Sequence, residues 1–284
     1  MTENRSIVEL INGYLQESTL HVPVFHAVAV RLQQVLSRQD FSIDEVNKLI
    51  TADPGLASQV LWVSNSSFYS GLTKVTTIRD AIVRLGATSV ANIAMLATQQ
   101  DMYRSSDAKL NGIMSTLWQH ALCCAIGAKW LATKTNLGAL AEEAFLAGLL
   151  HDIGKLFLLK VMEEIIKERK STGEVSPALL AEVINSMHVE HGYNLMQKWS
   201  MPEAYSNVVR DHHIDLQDKG NLLLAIVRLV DQACNKLGIG MRPDPDLVLF
   251  ASTEAQVLGV KEITLAELEI TIEDAIKLTL LGLH

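Results

Sequence analysis

The feature that most constrains this chain is a histidine–aspartate pair set between two apolar runs. Residues 145–159 read FLAGLLHDIGKLFLL, with His151 and Asp152 at the centre and Gly148 and Gly154 on either side. An imidazole and a carboxylate that are buried between hydrophobic segments destabilise the fold unless each finds a partner. Two partners are open at this point, a divalent metal ion and a structural ion pair.

The apolar pattern predicts a helical protein. Hydrophobic residues make up 49% of the 284 positions, whereas aromatic residues make up only 5%. Apolar positions recur every three to four residues along most of the chain, which indicates amphipathic helices. Two segments, 247–252 and 262–271, are ambiguous, and one of them is a candidate for a short strand. We therefore predict an all-α fold.

A polar stretch at residues 101–111 separates the helical pattern into two parts. We expect an N-terminal helical lobe over residues 1–104 and a second lobe, a multi-helix bundle, over residues 105–284. Within the first lobe, Ser42 and Glu45 form a capping-box pattern, and Asp53-Pro54 is typical of a helix start.

Charge and cysteine content exclude several classes of protein. The formal charge of −8 repels phosphate backbones, so we expect no broad nucleic-acid binding. The three cysteines form neither a disulfide framework nor a C-x-x-C motif, which indicates a reducing compartment. The first residues lack the apolar core of a secretion signal, and no apolar run reaches the length of a membrane span. We expect a soluble cytoplasmic protein without a membrane partner.

Further polar residues lie on the apolar faces of the predicted helices. His120 has Leu117 and Cys124 at helical spacing, and Asp231 follows the apolar run 222–230. Each such residue alone is more commonly a hydrogen-bonded core residue, but one shared metal site explains most of the set with a single assumption. The candidate ligands are His120, His151, Asp152, His188, His212, His213 and Asp231. Iron, manganese and zinc accept imidazole and carboxylate ligands, and helical bundles build such sites from facing helices.

Lys155 and His191 follow two of these candidate ligands within one helical turn. Lys155 follows His151 by four residues and therefore shares its helical face, where its charge would point towards a bound phosphate. A solvated lysine at a helix end is an equal alternative. His191 follows His188 by three residues, and we expect it to be an exposed side chain.

The order of these residues resembles a known signature. His120, then His151-Asp152, then Asp231 resembles the H…HD…D signature of the HD superfamily of metal-dependent phosphohydrolases. His188 and the His212-His213 pair resemble the extra histidines of the HD-GYP branch, which cleaves cyclic di-GMP at a two- or three-metal centre. The chain departs from that branch because no Gly-Tyr-Pro follows His213. Thr116 also occupies a position where some of those enzymes have a metal-binding glutamate.

The N-terminal half narrows the resemblance to the HDOD domain, the HD-related output domain of bacterial signalling proteins. The motifs, which lie within roughly residues 15–240, are Pro23, Asp53-Pro54-x-Leu56, Asn65-Ser66-Ser67-Phe68-Tyr69, Ile78-x-x-Ala81-Ile82-x-x-Leu85-Gly86, the 145–155 stretch and Trp199-x-x-Pro202. The resemblance implies an HD-like helical bundle with an additional N-terminal helical lobe. Many HDOD proteins have lost HD ligands and act through protein contacts, whereas this sequence keeps every HD-signature position.

Two functions follow from the resemblance. The first is a signal-transduction or regulatory protein with a retained HD metal site, whose partners are signalling proteins or a phosphorylated small molecule or nucleotide. The alternative is an active phosphohydrolase with a mono- or binuclear centre. In that enzyme Asp152 bridges two ions and, with Lys155, forms the catalytic pair. The expected ion is divalent, iron or manganese first, with zinc, magnesium or nickel as alternatives. A sensor that binds metal or nucleotide without turnover is a third, weaker reading.

Overall fold

Every regular element in the described part of the chain is a helix. The computed structural model describes residues 7–17, 24–66, 69, 71, 73–168, 177–216 and 218–280. The α-helices are α1 (Ile7–Glu17), α2 (Ala27–Leu36), α3 (Ile43–Thr51), α4 (Pro54–Ser64), α5 (Ile78–Leu85), α6 (Ala87–Met102), α7 (Ala108–Lys134), α8 (Ala141–Leu150), α9 (Ile153–Glu168), α10 (Pro177–Lys198), α11 (Glu203–Asp211), α12 (Leu222–Lys236), α13 (Thr253–Val257) and α14 (Glu262–Leu280). The all-α prediction is confirmed.

Both ambiguous segments contain helical structure. Residues Leu249–Ala251 form a 3₁₀ turn, and residues 262–271 are the first half of α14. The short strand considered for one of them is therefore wrong. The apolar residues of segment 262–271 have helical spacing, and helix α14 packs one face against α7 and α12.

The chain is divided into two compact units. The smaller comprises residues 25–102 and 197–204, and the larger comprises residues 1–24, 103–196 and 205–284. Helix α1 thus belongs with the larger unit, and the end of α10 belongs with the smaller one. The lobe boundary at residues 104/105 stays a prediction.

In the smaller unit, local sequence signals start the helices where the sequence predicts. The Ser42 hydroxyl accepts a hydrogen bond from the Glu45 N–H at 3.1 Å, and Asp53 Oδ1 accepts one from the Leu56 N–H at 3.0 Å. Asn65 bonds both backbone groups of Val75, at 2.9 and 3.0 Å, and so closes the loop between α4 and α5. Three residues of the motif set, Pro23, Ser67 and Phe68, lie outside the described residues.

The larger unit is built around α7, the longest of the described helices, which packs against α8, α12 and α14. Glycines allow the close approaches. A β-carbon on Gly127 would lie 2.7 Å from the Val230 side chain, and one on Gly148 would lie 2.6 Å from the Cys124 carbonyl oxygen. Helices α12 and α8 therefore reach α7 at distances that larger residues would prevent.

No single helix among the described residues is both long and apolar enough to cross a membrane. Helices α5 and α6 meet both criteria only when they are taken together across a 120° bend. Most side chains of α6 are buried, and the helix contacts α2, α4 and α5 within the smaller unit.

Candidate metal centre

Seven polar residues from five segments of the chain meet inside the larger unit. They are His120 of α7, His151 and Asp152 at the α8–α9 junction, His188 of α10, His212 and His213 directly after α11, and Asp231 of α12. All of them are buried except His213, which is exposed. The structure thus brings together every metal-ligand candidate that the sequence analysis named.

The glycines beside the His151-Asp152 pair allow this convergence. A β-carbon on Gly154 would overlap the His188 carbonyl oxygen, so only glycine lets α9 approach α10 this closely. Gly148 has the same role where α8 meets α7. The pair is consequently held between the histidine of α7 and the histidine of α10.

The first group of donors surrounds the Nε2 atom of His120. This atom lies 3.2 Å from His151 Nε2, 3.2 Å from Asp231 Oδ1 and 3.5 Å from Asp152 Oδ2. Cys124 Sγ completes the group, in which the donor atoms of His120, Cys124, His151 and Asp231 all lie within 4.8 Å of one another.

The second group lies on the other side of the same carboxylate. Asp152 Oδ1 is 3.4 Å from both His188 Nε2 and His212 Nε2, and His213 Nε2 is 3.1 Å from His188 Nε2. These four donors also lie within 4.8 Å of one another. Asp152 therefore turns one oxygen towards each group. Among the described residues, its Oδ1 is a buried atom without a hydrogen-bond donor.

The imidazole tautomers favour a cation in the second group. Four rings place Nδ1 at 2.8–3.0 Å from a backbone carbonyl: His120 at Ile239, His151 at Gly148, His188 at Asn185 and His212 at Val209. A carbonyl only accepts, so Nδ1 carries the proton and each neutral ring presents an Nε2 lone pair. The 3.4 Å between the Nε2 atoms of His188 and His212 then brings two lone pairs face to face, an arrangement that a metal ion would stabilise. In the first group, the raised pKa of His120 favours a proton on its Nε2, which lies 3.2 Å from both His151 Nε2 and Asp231 Oδ1, and a bound metal ion would displace that proton. The donor set fits a divalent cation in each group.

Burial favours the neutral, ligating form of most of these histidines. Burial lowers the pKa of His151 and of His188 to about 4. Burial, reinforced by the neighbouring His212, lowers the pKa of His213 to about 3. His120 differs, because Cys124 and Asp231 beside it raise its pKa above the usual value although burial acts to lower it.

The two carboxylates are ionised in the same surroundings. Burial acts to raise the pKa of Asp152, but Lys155 and His151 hold it well below its usual range. The pKa of Asp231 is also lowered, because its hydrogen bond with His120 outweighs the effect of burial. Two acceptor-only groups therefore stay charged at neutral pH.

Lys155 is buried beside the bridging carboxylate. Its Nζ lies 2.6 Å from Asp152 Oδ2, and the residue is 5% exposed, so it is not the solvated lysine of the sequence alternative. His191, which we expected to be exposed, is half-buried, with its ring centroid 6.3 Å from that of Phe157. It belongs to neither donor group.

The sequence analysis missed Cys124 as a donor. Its Sγ lies 3.7 Å from His120 Nε2, within the first group. The signal was present in the sequence, because a residue four positions after His120 lies on the same helical face.

It also missed Arg228, which had no local signal. The Arg228 guanidinium donates to the carbonyl oxygen of His212 at 2.9 Å and to that of Ile214, so it holds the backbone on both sides of His213. Its Nε donates to the buried Glu254 at 2.5 Å. Arg228 thereby fixes the segment that carries two donors of the second group.

Comparison with protein families gives one match that covers most of the chain. A profile described as the HDOD domain matches residues 22–214. An uncharacterised protein of Treponema pallidum (strain Nichols) is 24% identical over 196 residues, which are 68% of this chain and 37% of that protein. This chain thus matches little more than a third of that relative's length.

Solved structures share the fold. A HDOD domain protein of unknown function from Geobacter sulfurreducens has a TM-score of 0.74 at 24% identity, covering 95% of this chain and 96% of that one. A Marinobacter aquaeolei VT8 protein, provisionally described as a signal transduction protein, scores 0.69 at 21% identity, covering 96% and 64%. A Shewanella amazonensis SB2B protein, provisionally described as a metal-dependent phosphohydrolase, scores 0.62 at 22% identity, covering 95% and 99%.

Proposed function

Since the chain belongs to the HDOD domain family, we propose that it is a signal-transduction protein whose larger unit holds two divalent metal ions. One observation carries the metal assignment. Asp152 directs Oδ2 towards His120 and His151, at 3.5 Å from each Nε2, and it directs Oδ1 towards His188 and His212, at 3.4 Å from each Nε2. A buried carboxylate with imidazole lone pairs on both sides is arranged to bridge two cations.

The donor chemistry narrows the choice of ion. Nitrogen donors outnumber oxygen donors in the centre, which favours iron, then zinc or nickel, over manganese and magnesium, because the last two prefer oxygen ligands. The donors come from α7, the α8–α9 junction, α10, the end of α11 and α12. Metal occupancy would therefore tie five segments of the larger unit together.

The contacts of the motif residues in the smaller unit agree with a regulatory role. Of these residues, Asn65 and Asp53 bond to backbone groups and shape loops and helix ends. In this proposal the partners are signalling proteins or a phosphorylated small molecule or nucleotide. The proposed compartment is the cytoplasm, because Cys123, Cys124 and Cys234 are buried free thiols.

Phosphoester hydrolysis is the second candidate, favoured by two features of the centre. His213 is exposed, so the second group has a side that faces solvent, and Lys155 places an ammonium 2.6 Å from the bridging carboxylate. Two bound ions about 3.5–4 Å apart would activate water and neutralise charge on a phosphate. Asp152 would then hold the two ions at a fixed separation, and Lys155 would stabilise negative charge on phosphate oxygens.

Metal content tests the proposal. The 284-residue chain, purified without chelators or a histidine tag, is reconstituted anaerobically with iron(II) or manganese(II) and analysed for metal per chain. We expect two ions per chain, loss of both in Asp152→Ala, and retention of both in the matched control His191→Ala. Absence of metal from the reconstituted wild-type protein would contradict the proposal.

Turnover distinguishes the two candidates. The loaded protein is assayed with cyclic dinucleotides and generic phosphodiesters. Hydrolysis that disappears in Asp152→Ala but persists in His191→Ala would favour the enzyme. A fully loaded but inactive centre would favour the regulatory role.

A further inference from the structure

We propose that the Cys124 thiolate is a donor to the first metal ion, so that this ion has a sulfur ligand and the second ion has none. The inference rests on the proposed two-metal centre and adds a ligand to it. The first group then consists of His120, His151, Asp231 and Cys124, together with the Oδ2 edge of Asp152.

The distances agree with a site of this kind. Bonds of about 2.0 Å to nitrogen and about 2.3 Å to sulfur at near-tetrahedral angles give nitrogen–nitrogen separations of ~3.3 Å and nitrogen–sulfur separations of ~3.5 Å. The structure has 3.2 Å between the Nε2 atoms of His120 and His151, and 3.7 Å between His120 Nε2 and Cys124 Sγ. Cys124 thus lies at a ligand's distance from the histidine one helical turn before it.

The other two cysteines, Cys123 and Cys234, have the surroundings of structural thiols. Cys123 Sγ lies 3.8 Å from the Ile272 carbonyl oxygen of α14, because successive residues on a helix point about 100° apart. Cys234 Sγ lies 3.6 Å from Cys124 Sγ but belongs to neither donor group. Of the three buried thiols, Cys124 is the one grouped with imidazole and carboxylate donors.

A sulfur ligand changes which ion the first group prefers. Thiolate selects softer ions such as zinc, iron(II) or cobalt(II), whereas magnesium and manganese prefer oxygen ligands. The thiol proton passes to solvent as the ion binds, because the thiolate is the ligand. The second group has three imidazoles and one carboxylate oxygen. The two positions are therefore chemically unequal, and the first retains a soft ion in competition with excess manganese.

Cobalt(II) gives a direct readout that does not depend on activity. The full chain is loaded anaerobically with cobalt(II) under a phosphine reductant, and the near-ultraviolet sulfur-to-cobalt charge-transfer band is recorded beside bound cobalt per chain. We expect the band in wild type and in the matched controls Cys123→Ser and Cys234→Ser. In Cys124→Ser the band is lost while cobalt remains bound.

The outcomes separate this inference from the proposal on which it rests. Cobalt bound to the wild-type protein without the band, or a band that persists in Cys124→Ser, would overturn the sulfur ligand and leave the two-metal centre intact. A wild-type protein that binds no cobalt would overturn both. X-ray absorption of the zinc-loaded wild type needs no variant. A sulfur scatterer at about 2.3 Å is expected there, and a shell of nitrogen and oxygen alone would overturn the inference.

Discussion

The two donor groups use similar side chains in different settings. The first group is enclosed: His120, His151 and Asp231 are buried, and they come from helices α7 and α12 and the α8–α9 junction. The second group ends at an exposed histidine, His213, on a segment that Arg228 holds by its backbone carbonyls. This difference indicates that an ion in the first group would exchange slowly, because the group is enclosed in the core. An ion in the second group would exchange with solvent and would be accessible to further ligands.

The largest expected effect comes from removing the residue that the groups share. Asp152→Ala should abolish binding of both ions and lower the free energy of unfolding of the metal-free protein by about 3–5 kcal/mol, because the Lys155 ammonium stays buried without its partner. Urea unfolding of the metal-free protein measures this loss. The double variant Asp152→Ala/Lys155→Met should recover much of the stability but neither ion. If the double variant were as unstable as the single one, the buried pair would not be the cause.

A smaller effect should come from separating the groups without removing a donor. Gly154→Ala forces α9 away from the His188 carbonyl oxygen, at a cost of about 1–3 kcal/mol, and should release the second ion while the first stays. Chemical unfolding and metal content measure the two consequences. The control is Gly112→Ala in α7, where a β-carbon meets nothing within 4 Å and the helix should gain about 0.5–1 kcal/mol. Equal stability of the two variants would contradict the close approach of α9 and α10.

Loss of the arginine that holds the exposed segment should affect one group only. Arg228→Met frees the carbonyl groups of His212 and Ile214, and we expect affinity for the second ion to fall about 10–100-fold with the first unchanged. Titration against a competing chelator measures both affinities. Arg210→Met is the control, because Arg210 pairs with its neighbour Asp211 on an exposed surface. An equal loss of affinity for both ions would contradict the difference between the two donor groups.

The smallest effect concerns pH. His151 and His188, one from each group, have a pKa of about 4 in the folded metal-free protein, against about 6.5 when unfolded. Their contribution to stability is therefore complete above about pH 6.5 and is lost as the pH falls towards 4, because the unfolded chain binds the protons first. The slope approaches ~1.4 kcal/mol per pH unit for each histidine. In His151→Phe the slope measured by urea unfolding should decrease by one proton, and an unchanged slope would contradict neutral burial of this ring.

Several elements of the fold could be predicted because their causes are local. Helices α3 and α4 begin where Ser42 and Asp53 cap them, and the signal lies within four residues of sequence. The segment 262–271 could not be assigned to helix or strand from its own residues, because a short apolar run has no clear period. Its helical period is clear only over the full length of α14. The candidate metal ligands could also be predicted from the sequence, since each is a polar residue at a position where the helical pattern predicts an apolar one.

The sequence by itself determined that this chain is helical and which seven imidazole and carboxylate side chains are candidates for one site, because helical period and the free energy of burying a polar group are properties of neighbouring residues. Tertiary structure alone decided how those side chains divide. The contacts of the Asp152 carboxylate with His120, Lys155, His188 and His212, and the hydrogen bond from Arg228 to His212, join residues from 3 to 60 positions apart, through helix contacts that glycines permit. Distances between helices depend on packing, and packing is a property of the whole unit.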